Sequence, residues 1–455
     1  MDTVSVTSER PAPGLLPDAG PSPTWRERVA SAVELGRTTR VGQLARAGLI
    51  TLLLVLLAGV LALVAALRTG AAADDVVERS GPLTASAQEL YRALSDADAS
   101  AGQGFLLGAA EPATLRLRYQ TDLAAAGRAL AVLGAASSGT GADAAAVTTL
   151  TEGLPAYTGL VETARAVDRQ GLSYGSAYLR EASAFLRTDL LPAAQQIGDL
   201  QSAALADAQD GADGGVLTVL ALLVLLAALL ATWRLHRRIA HTTKRRRTPG
   251  VVVAGAALAL LGVWTVVALG VSALATANAR DAGAEPNREL VAARVAVLQS
   301  RSDEILTLVA RSTGGAYEQD YVSRSIALYG WEGLLDRART AAGDGPVADD
   351  ATAAQDAGRR GIVVHELVRT LDVSGQYDQA VALALAAGAD GGQGSVQQVL
   401  DALDRAVATT STTSARDADT ARAATLLLPL GIVLLTLVAA GGLVAGVWPR
   451  LQEYR

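Results

Sequence analysis

The 455-residue sequence contains no cysteine, which excludes disulfides, cysteine-ligated zinc, iron–sulfur clusters and thiol catalysis. Histidine is almost as scarce, at three residues. His236 and His241 share one short basic stretch and His365 stands alone, so a histidine-built metal centre or triad is hard to assemble. Lysine occurs once, as Lys244, against 38 arginines, a compositional bias to which we attach no chemistry. These absences exclude enzymes of those kinds; no catalytic residue, metal or cofactor is singled out, and the chain is expected not to be an enzyme. What is abundant is apolar: half of the residues are hydrophobic and the mean hydropathy is positive, which argues against a single soluble domain.

Uncharged runs of about 18 residues or more, enough to cross ~30 Å of hydrocarbon, occur four times. They are Ala47–Leu67, Gly214–Trp233, Val251–Ala275 and Ala423–Trp448. The first follows a polar leader that runs to Arg46 and precedes no evident small-residue cleavage site, so it reads as a retained signal anchor. Between the second and third runs lies a segment (234–250) with seven basic residues and no acid: Arg234, Arg237, Arg238, Lys244, Arg245, Arg246 and Arg247. By the positive-inside rule it faces the cytoplasm. Both termini then share that side, and the segments 68–213 and 276–422, which are net acidic, lie outside in a bacterial cell membrane.

The two outside segments have nearly equal length and the same span–loop–span plan, with little residue-level identity between them. Each reads as helix, being rich in Ala, Leu, Arg, Glu and Gln. In the first, Leu115, Tyr119, Leu123, Ala126, Leu130 and Leu133 recur at steps of three and four; in the second, Val291, Val295, Leu298, Ser302, Ile305 and Val309 do the same. Breaks at 108–112, 137–141 and 171–175 divide the first into about four helices, with Pro112 expected in a first helical turn. Breaks at 314–315, 343–346, 374–375 and 388–394 divide the second, with an extra short helix near 377–387 and a capping box from Ser395 to Gln398. The expected fold is therefore all-α: a polytopic membrane protein with four transmembrane helices and two extracytoplasmic antiparallel helical bundles. Upstream of the first span, a Pro- and Ser-bearing stretch to Pro23 reads as disordered, and Thr24-Trp25-Arg26-Glu27 opens an amphipathic helix.

In an up-down bundle the links after the first and third helices lie at the membrane-distal tip. Those links carry Asp168, Arg169, Tyr174, Tyr178 and Arg180 in the first half and Arg311, Tyr317, Tyr321, Asp372 and Tyr377 in the second. Exposed tyrosine and arginine favour protein contacts, so these residues are candidates for extracytoplasmic docking; the plainer reading is that each tyrosine closes its own bundle. A small-ligand site in which arginines hold a carboxylate is a further option that the sequence does not localise. The arginine cluster at 234–247 is a candidate contact for cytosolic partners or anionic lipid, or simply a topology determinant. The spans carry only a few hydroxyl and tryptophan side chains besides apolar ones and Pro429, which weighs against transport. The glycine-rich run 439–446 suits close helix packing.

With this layout in place, the chain resembles a bacterial family of four-span proteins with two large helical outer loops, the GlnX type. The most suggestive stretches are Leu90-Tyr-Arg-Ala-Leu-Ser-Asp-Ala-Asp-Ala99, Arg169-Gln-Gly-Leu-Ser-Tyr-Gly-Ser-Ala-Tyr-Leu-Arg-Glu-Ala-Ser183 and Leu298-Gln-Ser-Arg-Ser-Asp-Glu-Ile-Leu-Thr-Leu308. The resemblance implies an amino-acid-binding lipoprotein as the outside partner and a cytosolic serine/threonine kinase as the inside one; no nucleic-acid partner is expected. The outer bundles are also similar in plan to chemoreceptor sensor domains. The expected function is a non-enzymatic transmembrane sensor or signal relay; a structural envelope scaffold and an accessory subunit of a transporter complex are the alternatives.

Overall fold

The computed structural model describes residues 40–137, 139–212, 215–243, 249–388 and 390–452; the expected helix at Thr24 lies outside these. Among the described residues there are helices and turns and no strand, and four helices are long and apolar enough to cross a membrane. The first half comprises α1 (Arg40–Asp75), α2 (Gly81–Leu107), α3 (Ala113–Ala136), α4 (Ala142–Arg169), α5 (Gly175–Phe185), α6 (Leu191–Ala212) and α7 (Gly215–Thr243). The second comprises α8 (Pro249–Asn278), α9 (Glu285–Ala310), α10 (Gly315–Tyr329), α11 (Leu334–Ala342), α12 (Pro346–Val373), α13 (Tyr377–Ala384), α14 (Gly392–Leu426) and α15 (Leu428–Gln452).

Three junctions that look like helix breaks are single π turns. Val76–Ser80 joins α1 to α2, Leu186–Leu190 joins α5 to α6, and Ala279–Ala284 joins α8 to α9. Each adds one residue without ending the rod, so Gly42–Leu107 and Pro249–Thr313 are continuous helices of 66 and 65 residues. Some prolines mark helix starts or interruptions, whereas Pro155 lies inside α4 and Pro449 inside α15. Pro82 and Pro286 sit in the first turns of α2 and α9, and the helical ladder is interrupted at Leu427, two residues before Pro429. Two expectations need adjustment. Pro112 is the N-cap of α3 rather than a first-turn residue. The Ser395 capping box does not form: α14 already begins at Gly392, and the Ser395 hydroxyl donates to the Gly392 carbonyl. A break at 330–333, between α10 and α11, was not among those expected.

The chain divides into two compact units. Of the described residues, one gathers 40–59, 224–243, 249–260 and 434–452. Its packing depends on small residues: a Cβ on Gly250 would fall 2.5 Å from the Gly442 carbonyl oxygen, and one on Gly442 would fall 2.7 Å from that of Gly250. The backbones of α8 and α15 therefore touch directly, which in a lipid setting replaces the hydrophobic drive that apolar solvent cannot supply. Gly59 of α1 meets Thr436 of α15 in the same manner.

The other unit holds 60–223 and 261–433. It contains two helical lobes. In the first, α2, α3, α4 and the α5–α6 rod are neighbours around a ring, and in the second α9, the α10–α11 pair, α12 and α14 are, with α13 against α12. The expected seam of α3 is buried at Tyr119, Ala126, Leu130 and Leu133, and that of α9 at Leu298, Ser302, Ile305 and Val309. The lobes are not independent, because α2 packs along α9. Ile305 and Val309 of the second lobe belong to the first lobe's core, and Leu106 of the first packs against a small core of the second. Gly102 permits this approach: a Cβ there would lie 2.8 Å from Ile305 Cγ2.

Candidate functional site

Because α2 and α9 are the two central helices, each is surrounded on every side at the same level. All residues of α2 from Ala93 to Gly104 are buried, and all of α9 from Ser300 to Val309. An ordinary core there would be apolar throughout. Instead the chain places Ser95, Asp96, Asp98, Ser100 and Gln103 on one helix and Ser300, Arg301, Ser302, Asp303, Glu304 and Thr307 on the other. Buried ionised groups persist only when paired and hydrogen-bonded, so this layer must be a network, and it is.

Asp98 is its first node. The carboxylate, 4% exposed, accepts hydrogen bonds from Ser183 and Ser302 at 2.6 Å each, with the Tyr157 hydroxyl at 3.5 Å. The three stretches that carry the sequence resemblance, around Asp98, Ser183 and Ser302, therefore converge on one carboxylate. Asp303 is the second node, at 0% exposure. Arg187 of the first lobe and Arg324 of the second both pair with it, and Arg187 also donates to Ser302 at 2.9 Å. Burial pushes the Asp303 carboxyl up, against the pull of Arg187 and Arg324. Burial likewise works against the Arg187 charge, and Asp98 and Asp303 outweigh it. Across the same junction, Gln299 donates to the Tyr91 hydroxyl at 3.1 Å and accepts from Arg324 at 3.1 Å.

A second chain of charges runs through the second lobe alone. Arg301, 2% exposed, pairs with Glu304 and donates to the Ala384 carbonyl at 2.9 Å. Glu304 meets His365 Nδ1 at 3.0 Å, and His365 Nε2 meets Glu318 at 3.1 Å. Glu318 continues to Arg369, which pairs with Asp372. Burial opposes a charge on His365, but hydrogen bonds to Glu304 and Glu318 outweigh it and push its pKa up to about 9. Burial also opposes the Glu304 charge, and Arg301 and His365 nevertheless hold that carboxyl below its ordinary value. The imidazole lies flat against Tyr321, with centroids 3.6 Å apart.

A smaller cluster lies in the first lobe, where Arg92 holds Asp96 at 2.5 Å and Arg118 approaches it at 3.4 Å. Asp122 sits beside them, 3.9 Å from Arg92, with one carboxylate oxygen lacking a hydrogen-bond partner. Burial, reinforced by Asp96, pushes Asp122 up to about 6.

The expected docking residues fall into pairs rather than one surface. Tyr174 is exposed and makes an edge contact with Tyr178, near exposed Arg169. Asp168 is half-buried close to Gly108, and burial raises its carboxyl. Arg180 reaches Thr313 of the other lobe at 3.5 Å. Arg311 lies over the Tyr377 ring at 3.8 Å, and the Tyr377 hydroxyl donates to the Leu308 carbonyl. Tyr317 is half-buried, Tyr321 is occupied by His365, and Asp372 by Arg369. Of the basic cluster, Arg234 and Arg237 are exposed on α7, with Arg237 over Trp233, and Arg238 follows them; Lys244, Arg245, Arg246 and Arg247 lie outside the described residues.

Sequence reasoning looked to the tips and passed over Asp98, Arg187, Asp303, Arg324 and His365. The available signal was the density of charge inside two central seams, where Ser302 was read as a mere seam position. Two open grooves flank the layer. One of about 590 Å³ lies between α10 and α12, with Tyr321, Tyr329, His365 and Arg369 in its wall. The other, of about 480 Å³, opens at the lobe junction over Arg187 and Arg324. Among the described residues no group of side chains has the makings of a metal site.

Residues 72–210 match the family model of the actinobacterial sensor domain. The matched segment runs from the last residues of α1 to two residues before the end of α6, and so includes Asp98, Ser183 and Arg187. No curated protein and no solved structure matches the chain. Four helices are long and apolar enough to cross a membrane, so the chain is a multi-pass bacterial membrane protein with one segment similar to a sensor domain.

Proposed function

We propose that the protein is a non-enzymatic signal relay whose two lobes stand outside the cytoplasmic membrane as one receiving body. The observation that carries this reading is the charged layer shared between the sensor-matched lobe and its counterpart, in which Asp98 and Asp303 each take partners from both lobes. A stimulus that favours one arrangement of this layer over another shifts the angle or height of α2 and α9. Each is continuous with an apolar span, so the shift has a covalent path toward the other face. In this reading the basic residues from Arg234 to Arg247 face the cytoplasm by the positive-inside rule and form the receiving end of that path.

In this reading the outside partner is an amino-acid-binding lipoprotein docking near the Tyr174/Tyr178 and Arg311/Tyr377 pairs. The inside partner is a cytosolic serine/threonine kinase. Transport fits less well, since the spans carry hydroxyls and no charge. The test is to replace Arg234, Arg237, Arg238, Lys244, Arg245, Arg246 and Arg247 by glutamine in part, keeping enough positive charge for insertion, and to follow phosphorylation of cytosolic proteins on an amino-acid shift. A relay loses that response while outside binding persists; a scaffold keeps both.

A further inference from the structure

We propose that the groove at the lobe junction is a binding site for a small aliphatic carboxylate, seated against Arg187 and Arg324. This rests on the sensor reading and names the chemistry of its input. The groove of about 480 Å³ falls within the range that small-molecule sites occupy. The two guanidiniums in its lining come from different lobes and both pair with the buried carboxylate of Asp303. Asp98 lies near Arg187 and Asp320 stands 4.0 Å from Arg324, but each guanidinium commits only two of its nitrogens, Arg187 to Asp303 and Ser302 and Arg324 to Asp303 and Gln299, which leaves N–H donors for an occupant of the groove that both line. Planar guanidinium forks match a carboxylate in charge and shape.

The remaining walls agree. Tyr91, Gln195, Gln196 and Gln299 add hydrogen-bonding groups, and Leu191 and Leu200 offer apolar contact for a short chain. The lining has one acidic residue, Asp199, which is exposed. Because the walls belong to α2 and α6 of one lobe and α9 and α10 of the other, a bound acid would tie the lobes together at Asp303 and change their relative preference. An acid with or without an α-ammonium group satisfies this chemistry, Asp199 being the available partner for an ammonium.

The test uses the full-length protein in lipid nanodiscs and measures thermal unfolding and calorimetric binding of butyrate, glutarate, their 2-amino derivatives, and methyl butyrate as the uncharged control. Saturable binding and a raised Tm are expected with one or both acid classes and not with the ester. Binding of only the 2-amino compounds assigns amino acids as the source, and equal binding of both assigns simple acids. Arg324→Gln is expected to weaken binding about tenfold or more. Gln195→Glu/Gln196→Glu, two exposed changes on α6 that cannot disturb the core, is expected to do the same by repulsion. No binding by any acid, or binding unaltered in both variants, overturns the site. In that event a phosphorylation response lost on altering the basic cluster would still uphold the relay, so the two failures are distinguishable.

Discussion

At the scale of single residues, the buried charges make the sharpest claims. Asp98 satisfies donors from both lobes, so Asp98→Ala would strand the Ser183 and Ser302 hydroxyls and remove a negative neighbour of Arg187. A loss of about 3–5 kcal/mol is expected, measured by denaturant unfolding in detergent; a loss below about 1 kcal/mol would show that the node is not satisfied as described. Asp122 should behave in the opposite sense. Its folded pKa of about 6 lies above the ordinary 3.8, so the associated stability is present below pH 3.8 and is lost as pH rises through 6. Asp122→Asn is therefore expected to stabilise by about 2 kcal/mol at pH 7, with the gain shrinking toward pH 4. His365 titrates higher. Raised from 6.5 to about 9, it contributes stability that is full below pH 6.5 and disappears as pH rises through 9. His365→Gln should remove that slope, which amounts to something on the order of 3 kcal/mol in the wild type; an unchanged slope would mean that Glu304 and Glu318 do not hold the imidazolium.

At the scale of elements, α2 and α9 do most to define the molecule. Their apolar spacing was legible: Val291, Val295, Leu298, Ile305 and Val309 read as a seam, and the structure buries its distal part. What spacing could not reveal is that these helices have no exposed side at mid-height. A period of three and four marks the face that is buried, and it is silent where a second helix from another lobe covers the opposite face. Continuity of these rods with the spans was legible, but the π turns within them were not, since Gly81-Pro82 after Val76–Ser80 and Gly283 and Pro286 at Ala279–Ala284 do not distinguish a π turn from a break. In the smaller unit, the touching backbones of α8 and α15 make Gly442→Leu a test of packing. Forcing a side chain between Gly250 and Gly442 should cost about 1–3 kcal/mol and lower the yield of inserted, folded protein, measured by size-exclusion behaviour in detergent. Normal stability would contradict direct backbone contact.

At the scale of the whole molecule, four spans, the helical segments between them and most of their breaks were readable because apolar length, helix formers and punctuation are local properties. The joining of the lobes was not, since Asp98 meets Ser302 and Arg187 meets Asp303 across more than a hundred residues of chain. The tips drew attention because tyrosine and arginine on links are conspicuous in a sequence, whereas a charge inside a seam is visible only when both seams are seen to face each other. The account stands or falls on that facing. The absence of cysteine makes it directly testable. A Cβ at position 102 would lie 3.7 Å from the Ile305 Cβ, inside the range that a disulfide spans. Gly102→Cys combined with Ile305→Cys in the full-length protein in native membranes should therefore close spontaneously on mild oxidation, read as loss of thiol labelling that dithiothreitol restores. Two persistently free thiols in a folded, inserted protein would contradict the α2–α9 junction and the charged layer built on it.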